Sequence, residues 1–295
     1  MTALRKNFNS LLTFLLFVFP AFGAILLSVE IPFVMSIGYS FTRWNGLDRV
    51  PAFIGLDNYK ELLFDDPNMM GALSFTFSQA IFVVILINVV AIFLAVLLDR
   101  EIRGKNIFRA AFFIPNIMSL IVIGYIWRFI LSRSLDSFYE TIKIPFLMYS
   151  WLGNPNLAFI SIMIVTVWQA IGFYMIIYIA GLQVIPRDLI EASMIDGAGE
   201  ISRFFKITLP LLMPSITVSV FYSISNSLKS FDVIFSLTGG GPGTSTTPIA
   251  LDIYKTAFIT SRFGYGTAKS VILFLLILLI TFFQIRFFKK REVEV

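Results

Sequence analysis

Residues 73–98 read LSFTFSQAIFVVILINVVAIFLAVLL, 26 positions without a charge. At 1.5 Å per residue such a helix rises about 39 Å, more than the roughly 30 Å of a bilayer's hydrocarbon core. Outward from it lie five more apolar blocks, near residues 11–40, 108–131, 157–181, 212–236 and 266–288. Composition agrees. Of 295 residues, 57% are hydrophobic and only 14% charged, against about 25% charged in soluble domains. That leaves too little polar surface to cover a globule. The expected fold class is an all-α integral membrane protein with six transmembrane helices in one domain, 1–295. The first block is long for one crossing and contains Pro20, Glu30 and Pro32, so its core is placed at 11–31 and the remainder tilts or emerges. Ala21–Ala24 resembles a signal-peptidase site, but the apolar run continues past it, which favours an uncleaved anchor.

Lys and Arg in the connections orient the spans. The N-terminus (Arg5, Lys6), 99–109, 183–210 and the tail (Arg286, Lys289, Lys290, Arg291) hold thirteen. The opposite set, 42–70, 132–156 and 237–265, holds seven. The first set is therefore expected inside, with both termini cytoplasmic. The net charge of +5 reflects this asymmetry rather than nucleic-acid binding. There is no His and no Cys, which excludes imidazole bases and relays, His or thiolate metal sites, disulfides and thiol nucleophiles. No internal repeat of the kind that builds inverted-repeat secondary transporters is visible.

One inside connection is distinctive: 185–214, IPRDLIEASMIDGAGEISRFFKITLPLLMP. Pro186 suits a helix start, and Asp188 and Glu191 put negative charge near the positive end of the helix dipole. Asp196-Gly197 signals a turn, since Gly tolerates left-handed backbone. A second amphipathic piece with Ile201, Phe204, Phe205 and Ile207 should stop at Pro210, and Pro214 should open the next span. Local physics allows two readings. The hairpin lies passively at the membrane surface, or its small side chains (Ala192, Ser193, Gly197, Ala198) let another protein approach closely.

The spacing resembles the EAA loop of importer-type ABC permeases. In that family Glu-Ala-Ala is followed by three residues, Gly, nine residues and Ile-x-Leu-Pro. Here Glu191-Ala192-Ser193, Gly197 and Ile207-Thr208-Leu209-Pro210 match throughout, with Ser193 for the third Ala the one departure. Ser40-Phe41, Gly55-Leu56-Asp57-Asn58-Tyr59, Phe108-Arg109 with Pro115, Leu237-Thr238-Gly239-Gly240-Gly241-Pro242 and Phe263-Gly264-Tyr265-Gly266 resemble the carbohydrate branch, including maltose-type permeases. The resemblance implies a type I importer fold and half of a channel for a sugar or oligosaccharide in a bacterial plasma membrane. It also implies a second, similar permease chain, two ATPase subunits and an extracytoplasmic solute-binding protein. Glu191, Ala192, Ser193, Asp196 and Gly197 would couple to the ATPase. ATP and Mg would be used there and no cofactor here. The chain lacks a Gly-x-x-x-x-Gly-Lys-Ser/Thr phosphate loop, and Gly239–Gly243 is followed by no lysine-bearing helix. That glycine run is expected to be a flexible external turn, and the chain is not expected to be an enzyme.

For a substrate, the fifth span offers Ser219, Ser223, Asn226, Ser227 and Ser230 at spacings of three and four, one helical face, with Tyr222 beside it. The fourth offers Thr166, Gln169 and Phe173. Polar stripes also glue membrane helices, and the residues alone do not separate glue from substrate contact. Counting outward from the EAA loop, the maltose-type resemblance places Gln169, Phe173, Ser223, Asn226, Ser227 and Ser230 at lining positions. Lys229 and Asp232, three apart, suggest an intrahelical pair; alternatively Lys229 or Arg128 meets an acidic saccharide. Gln79, Asn88, Asn116 and Ser119 read as interhelical hydrogen-bond formers. Competing functions are an ABC permease for a phosphorylated polyol or an amino acid, a standalone secondary transporter, or a structural membrane protein.

Overall fold

The computed structural model describes residues 14, 16–134 and 149–289. The start of the first span at Leu11 and the charges Arg5, Lys6, Lys143, Lys290 and Arg291 lie outside them. Three helices are long and apolar enough to cross a bilayer besides Pro67–Asp99 (α3): Leu16–Tyr39 (α1), Pro155–Val184 (α6) and Phe263–Lys289 (α12). Two further spans are bent pairs, Lys105–Ile117 (α4) with Leu120–Phe129 (α5) at 97°, and Glu200–Leu211 (α8) with Met213–Leu228 (α9) at 70°. Six spans result if each pair counts as one. Shorter helices are Asp57–Lys60 (α2), Arg187–Ile195 (α7), Asp232–Leu237 (α10) and Ile249–Tyr254 (α11).

Two compact units can be described, 1–65 with 253–272 and 66–252 with 273–295. The larger is organised around α3 and α6, which pack along each other. Both begin with the same device: Asp66 and Asn154 accept hydrogen bonds from the amides two and three residues on, and Pro67 and Pro155 follow at the first helical position. This satisfies the orphan amides of a helix start. Along α3, Ala72, Thr76, Ala80, Val83, Ile87, Ala91 and Ala95 are buried. They recur at three and four residues, so one small-residue face meets α6, as close helix approach in lipid requires. A Cβ added at Gly172 would lie 2.1 Å from the Phe112 carbonyl oxygen, so the backbones of α6 and α4 touch there.

The 97° bend departs from the continuous third span expected above, whereas the 70° bend falls at Leu212, where the fifth span was expected to begin. Met118 and Ser119 are extended (ψ 149° and 128°), so the third span breaks there, after Pro115 rather than at it. Pro210 does not stop α8. The helix widens to a π turn over Phe204–Thr208, with the Leu209 amide reaching back to the Phe204 carbonyl, and this loosened turn carries the chain through Pro210 to Leu211. α9 then ends at Leu228. Lys229–Phe231 are non-helical before α10, so the expected Lys229–Asp232 helical pair has no helix to form on, and no such ion pair exists among the described residues.

In the smaller unit, a two-residue antiparallel ribbon pairs Thr42 with Phe53 and Arg43 with Ala52. Buried Asn58 clamps it, its Nδ2 donating to the Ser40 and Thr42 carbonyls at 2.8 and 2.9 Å. The Ser40 and Tyr59 hydroxyls lie 2.7 Å apart. Phe263 packs edge-on to Trp44, and the Gly264 amide donates to the Trp44 carbonyl. A Cβ at Gly264 would sit 2.1 Å from the Thr42 carbonyl oxygen. Arg262 forks onto Glu61 at 2.7 and 2.6 Å and covers the Tyr265 ring. Three motifs far apart in sequence, 40–41, 55–59 and 263–266, thus serve one local assembly.

The Gly239–Gly243 run is not a loose turn. Gly239, Gly240 and Gly243 take positive φ, and buried Thr246 and Thr247 hold the loop through hydroxyl bonds to the Gly241 and Gly240 carbonyls (2.6 and 3.1 Å).

Candidate functional site

The 185–212 connection folds as two helices around a tight turn. At the end of α7 the Gly197 amide reaches the Met194 carbonyl and the Ala198 amide the Ser193 carbonyl, with Gly197 at φ +80°. Open space surrounds the position where its Cβ would be, so the glycine is required by backbone conformation, not by crowding. Glu191, Ala192 and Asp196 face outward, but Ser193 is buried, its hydroxyl donating to the Ile190 carbonyl at 2.6 Å. Apolar Met194 and Ile195 lie beside Glu191 on the outer face, Ile195 at 87% exposure. Arg100, from the end of α3, pairs with Glu200 of α8 at 3.0 Å. Behind the loop is an open groove of about 900 Å³ whose rim mixes Arg100, Lys105, Arg187 and Arg203 with Asp99, Glu101, Glu191 and Glu200.

α9 presents three unlike faces. One is a buried polar seam. Ser219 and Tyr178 donate to Asn88 Oδ1, Ser219 at 2.8 Å, and Asn88 Nδ2 donates to Ser223 at 3.1 Å. Three helices, α3, α6 and α9, are thereby tied at one amide. The second face, Ile224 and Leu228, closes a wholly apolar groove with Ala80, Ile81 and Val84 of α3. The third is exposed yet polar: Tyr222, Asn226 and Lys229 lie outward at spacings of four and three. The Tyr222 ring packs at 5.1 Å from Phe173, which contacts Tyr174 at 5.4 Å, and Asn226 lies beside the Tyr174 hydroxyl. Surfaces of α3 that face outward instead carry Ile81, Phe82, Ile85, Val89 and Phe93, which suit lipid. A phenol, an amide and an ammonium suit water.

The family profile described as "Binding-protein-dependent transport system inner membrane component" matches residues 103–293. The chain belongs to this permease family. It is 42% identical, over 98% of both chains, to the probable starch degradation products transport system permease protein of Thermoanaerobacterium thermosulfurigenes. It is 37% identical to the multiple sugar-binding transport system permease protein of Streptococcus mutans, over 89% of this chain and 90% of the other. A solved structure of a bacterial ABC transporter involved in import of the acidic polysaccharide alginate superimposes with a TM-score of 0.83 at 20% identity, covering 97% of this chain and 98% of that one. The permease therefore has the type I importer fold expected from the EAA loop.

Of the residues expected at the substrate, Asn226 lies on the exposed polar face and half-buried Phe173 packs against Tyr222 of that face. Ser230 lies half-buried in the break after α9, and Gln169 and Ser227 are almost fully buried. Ser223 is committed to the Asn88 seam. Asn88 forms interhelical bonds as expected, whereas Gln79 does not. Gln79 is fully buried, and neither amide atom has a hydrogen-bond partner among the described residues. Asn116 and Ser119 make no side-chain hydrogen bonds among the described residues; Asn116 stands in the last turn of α4 and Ser119 in the break that follows it. Sequence reasoning passed over Tyr222 as a neighbour of the stripe, and also Met194 and Ile195. Their only signal is apolarity, which in a short amphipathic helix normally points inward.

Proposed function

We propose that this permease is half of the membrane pathway of an ATP-driven bacterial importer for a sugar or oligosaccharide, delivered by a solute-binding protein. A second, similar permease chain completes the channel. α7 docks on one of two separate ATPase subunits, which alone use ATP and Mg, and both termini lie in the cytoplasm. The relatives named for starch degradation products and multiple sugars support the substrate class. The observation that carries the reading is the exposed Tyr222–Asn226 face with Phe173 against it, polar where the outward surface of α3 is wholly apolar. Flat aromatic rings match the apolar faces of a pyranose, and an amide matches its hydroxyls. The α7 turn supports coupling. Gly197 ends the helix abruptly, leaving Glu191, Ala192 and Ile195 on a rigid outward face while Ser193 anchors it from behind. ATP-driven movement of the docked helix would shift the pathway between inward- and outward-open states, which a substrate biases only through unequal affinity for the two.

The test is the complete complex in nanodiscs with its binding protein. Tyr222→Ala and Asn226→Leu should each reduce sugar-stimulated ATP hydrolysis at least threefold while the subunits co-purify. Unchanged stimulation in both variants removes this face from the pathway.

A further inference from the structure

Lys229 follows the sixteen residues of α9, a rise of about 24 Å; counted from an entry of α9 at the inner surface, it falls short of the far side of a hydrocarbon layer of about 30 Å. A cation at that depth is costly facing lipid and marks a ligand or ion path by default. Three observations define its surroundings. Lys229 is exposed on the same side as Tyr222 and Asn226. Its backbone closes α9, the amide donating to the Asn226 carbonyl at 3.2 Å, so the helix end fixes where the side chain starts. Among the described residues its ammonium has no hydrogen-bond or ion-pair partner, and Asp232, which heads the next helix, is not paired with it.

We propose that Lys229 is a substrate-contacting, specificity-determining residue, its ammonium donating to acceptor oxygens on one edge of a saccharide whose face lies against Phe173 and Tyr222. The proposal rests on the pathway reading above and adds a chemical demand to it. An ammonium offers three donors and no acceptor. The edge it meets must therefore accept, through vicinal hydroxyl and ring oxygens of a neutral sugar or through the carboxylate of a uronic acid. Asn226, one turn back, can both donate and accept, so the two side chains together read an edge rather than a single atom.

The experiment measures equilibrium binding of maltotriose and of trigalacturonate to the full complex in nanodiscs, for wild type, Lys229→Met, Lys229→Gln, Lys229→Arg and Tyr222→Ala. Lys229→Met should weaken at least one probe tenfold or more. If the contact is to hydroxyls, maltotriose is the probe affected and Gln restores part of its binding. If it is to a carboxylate, trigalacturonate is affected and only Arg restores it. Weakening of both probes by Tyr222→Ala with no change in Lys229→Met overturns the role of Lys229 and keeps the pathway reading. No change in either variant ends both. Dissociation of the permease pair in Lys229→Met, with unaltered sugar binding in the complexes that survive, also overturns the proposal, because Lys229 would then be serving the partner chain.

Discussion

Replacing Asn88 by Ala removes the amide at which three helices meet. Tyr178 and Ser219 lose their acceptor and Ser223 a donor. Interhelical hydrogen bonds in membrane proteins average about 0.6 kcal/mol and reach about 1.7, so three of them contribute about 2 kcal/mol and at most about 5. Part of the loss is recoverable. Ser223 already donates to the Val220 carbonyl, and Ser219 can turn to its own helix in the same way. The Tyr178 hydroxyl, in a side chain with no exposed surface, has no such fallback and carries the desolvation penalty of an unmet donor. The expected destabilisation is about 2 kcal/mol, near thirtyfold in an unfolding equilibrium. It would be measured by SDS titration of the purified permease in mixed micelles. Adding Tyr178→Phe and Ser219→Ala to Asn88→Ala should recover stability, since the donors that lost their acceptor are then gone and Ser223 still donates to the Val220 carbonyl. A single variant within 0.5 kcal/mol of wild type, or a triple variant no better than the single, refutes the reasoning.

Three further outcomes follow from geometry. Gly172→Ala puts a methyl 2.1 Å from the Phe112 carbonyl oxygen, a backbone atom that cannot swing aside, so the complex should lose most of its yield and several degrees of melting temperature by fluorescence-detected size exclusion. Gly197→Ala meets no atom but must hold φ +80°, at a cost of about 1 kcal/mol. Its complex should assemble with binding-protein-stimulated ATP hydrolysis reduced severalfold, and Gly197→Asn, which tolerates left-handed backbone, should retain more. Asn58→Ala and Asn58→Asp both lack the amide donor that holds the Ser40 and Thr42 carbonyls. Each should lose about 2 kcal/mol, seen as faster proteolysis within 42–56.

Much of the candidate site was legible in the linear chain. The turn at Gly197 follows from local chemistry, because only Gly takes positive φ without cost, and the spaced EAA match marks the loop as the one that carries the family resemblance. The polar stripe of the fifth span was legible as a stripe but not as a site. Ser219, Ser223 and Asn226 have the same spacing signal, yet two point into the Asn88 seam and one points out. A helical period groups residues by angle; it does not say which neighbour occupies that angle. Lys229 and Asp232 show the limit from another side: their spacing implies a pair only if the helix continues, and it ends at Leu228.

What the sequence determined by itself is the membrane character, the apolar blocks from which the spans are built and the family. These depend on run length, hydropathy and spaced motifs, which are properties of the chain in order. What only the tertiary structure decided is which faces are buried: Ser193 turned inward beneath the α7 surface, Gln79 enclosed without a partner, the spans broken at 118–119 and 229–231, and a tyrosine, an amide and an ammonium brought to one open face. In a bilayer the hydrophobic effect does not sort one helix face from another, since lipid and protein interior are alike to an apolar side chain. Close packing and hydrogen bonds between distant segments make that choice, and they exist only once the helices have met.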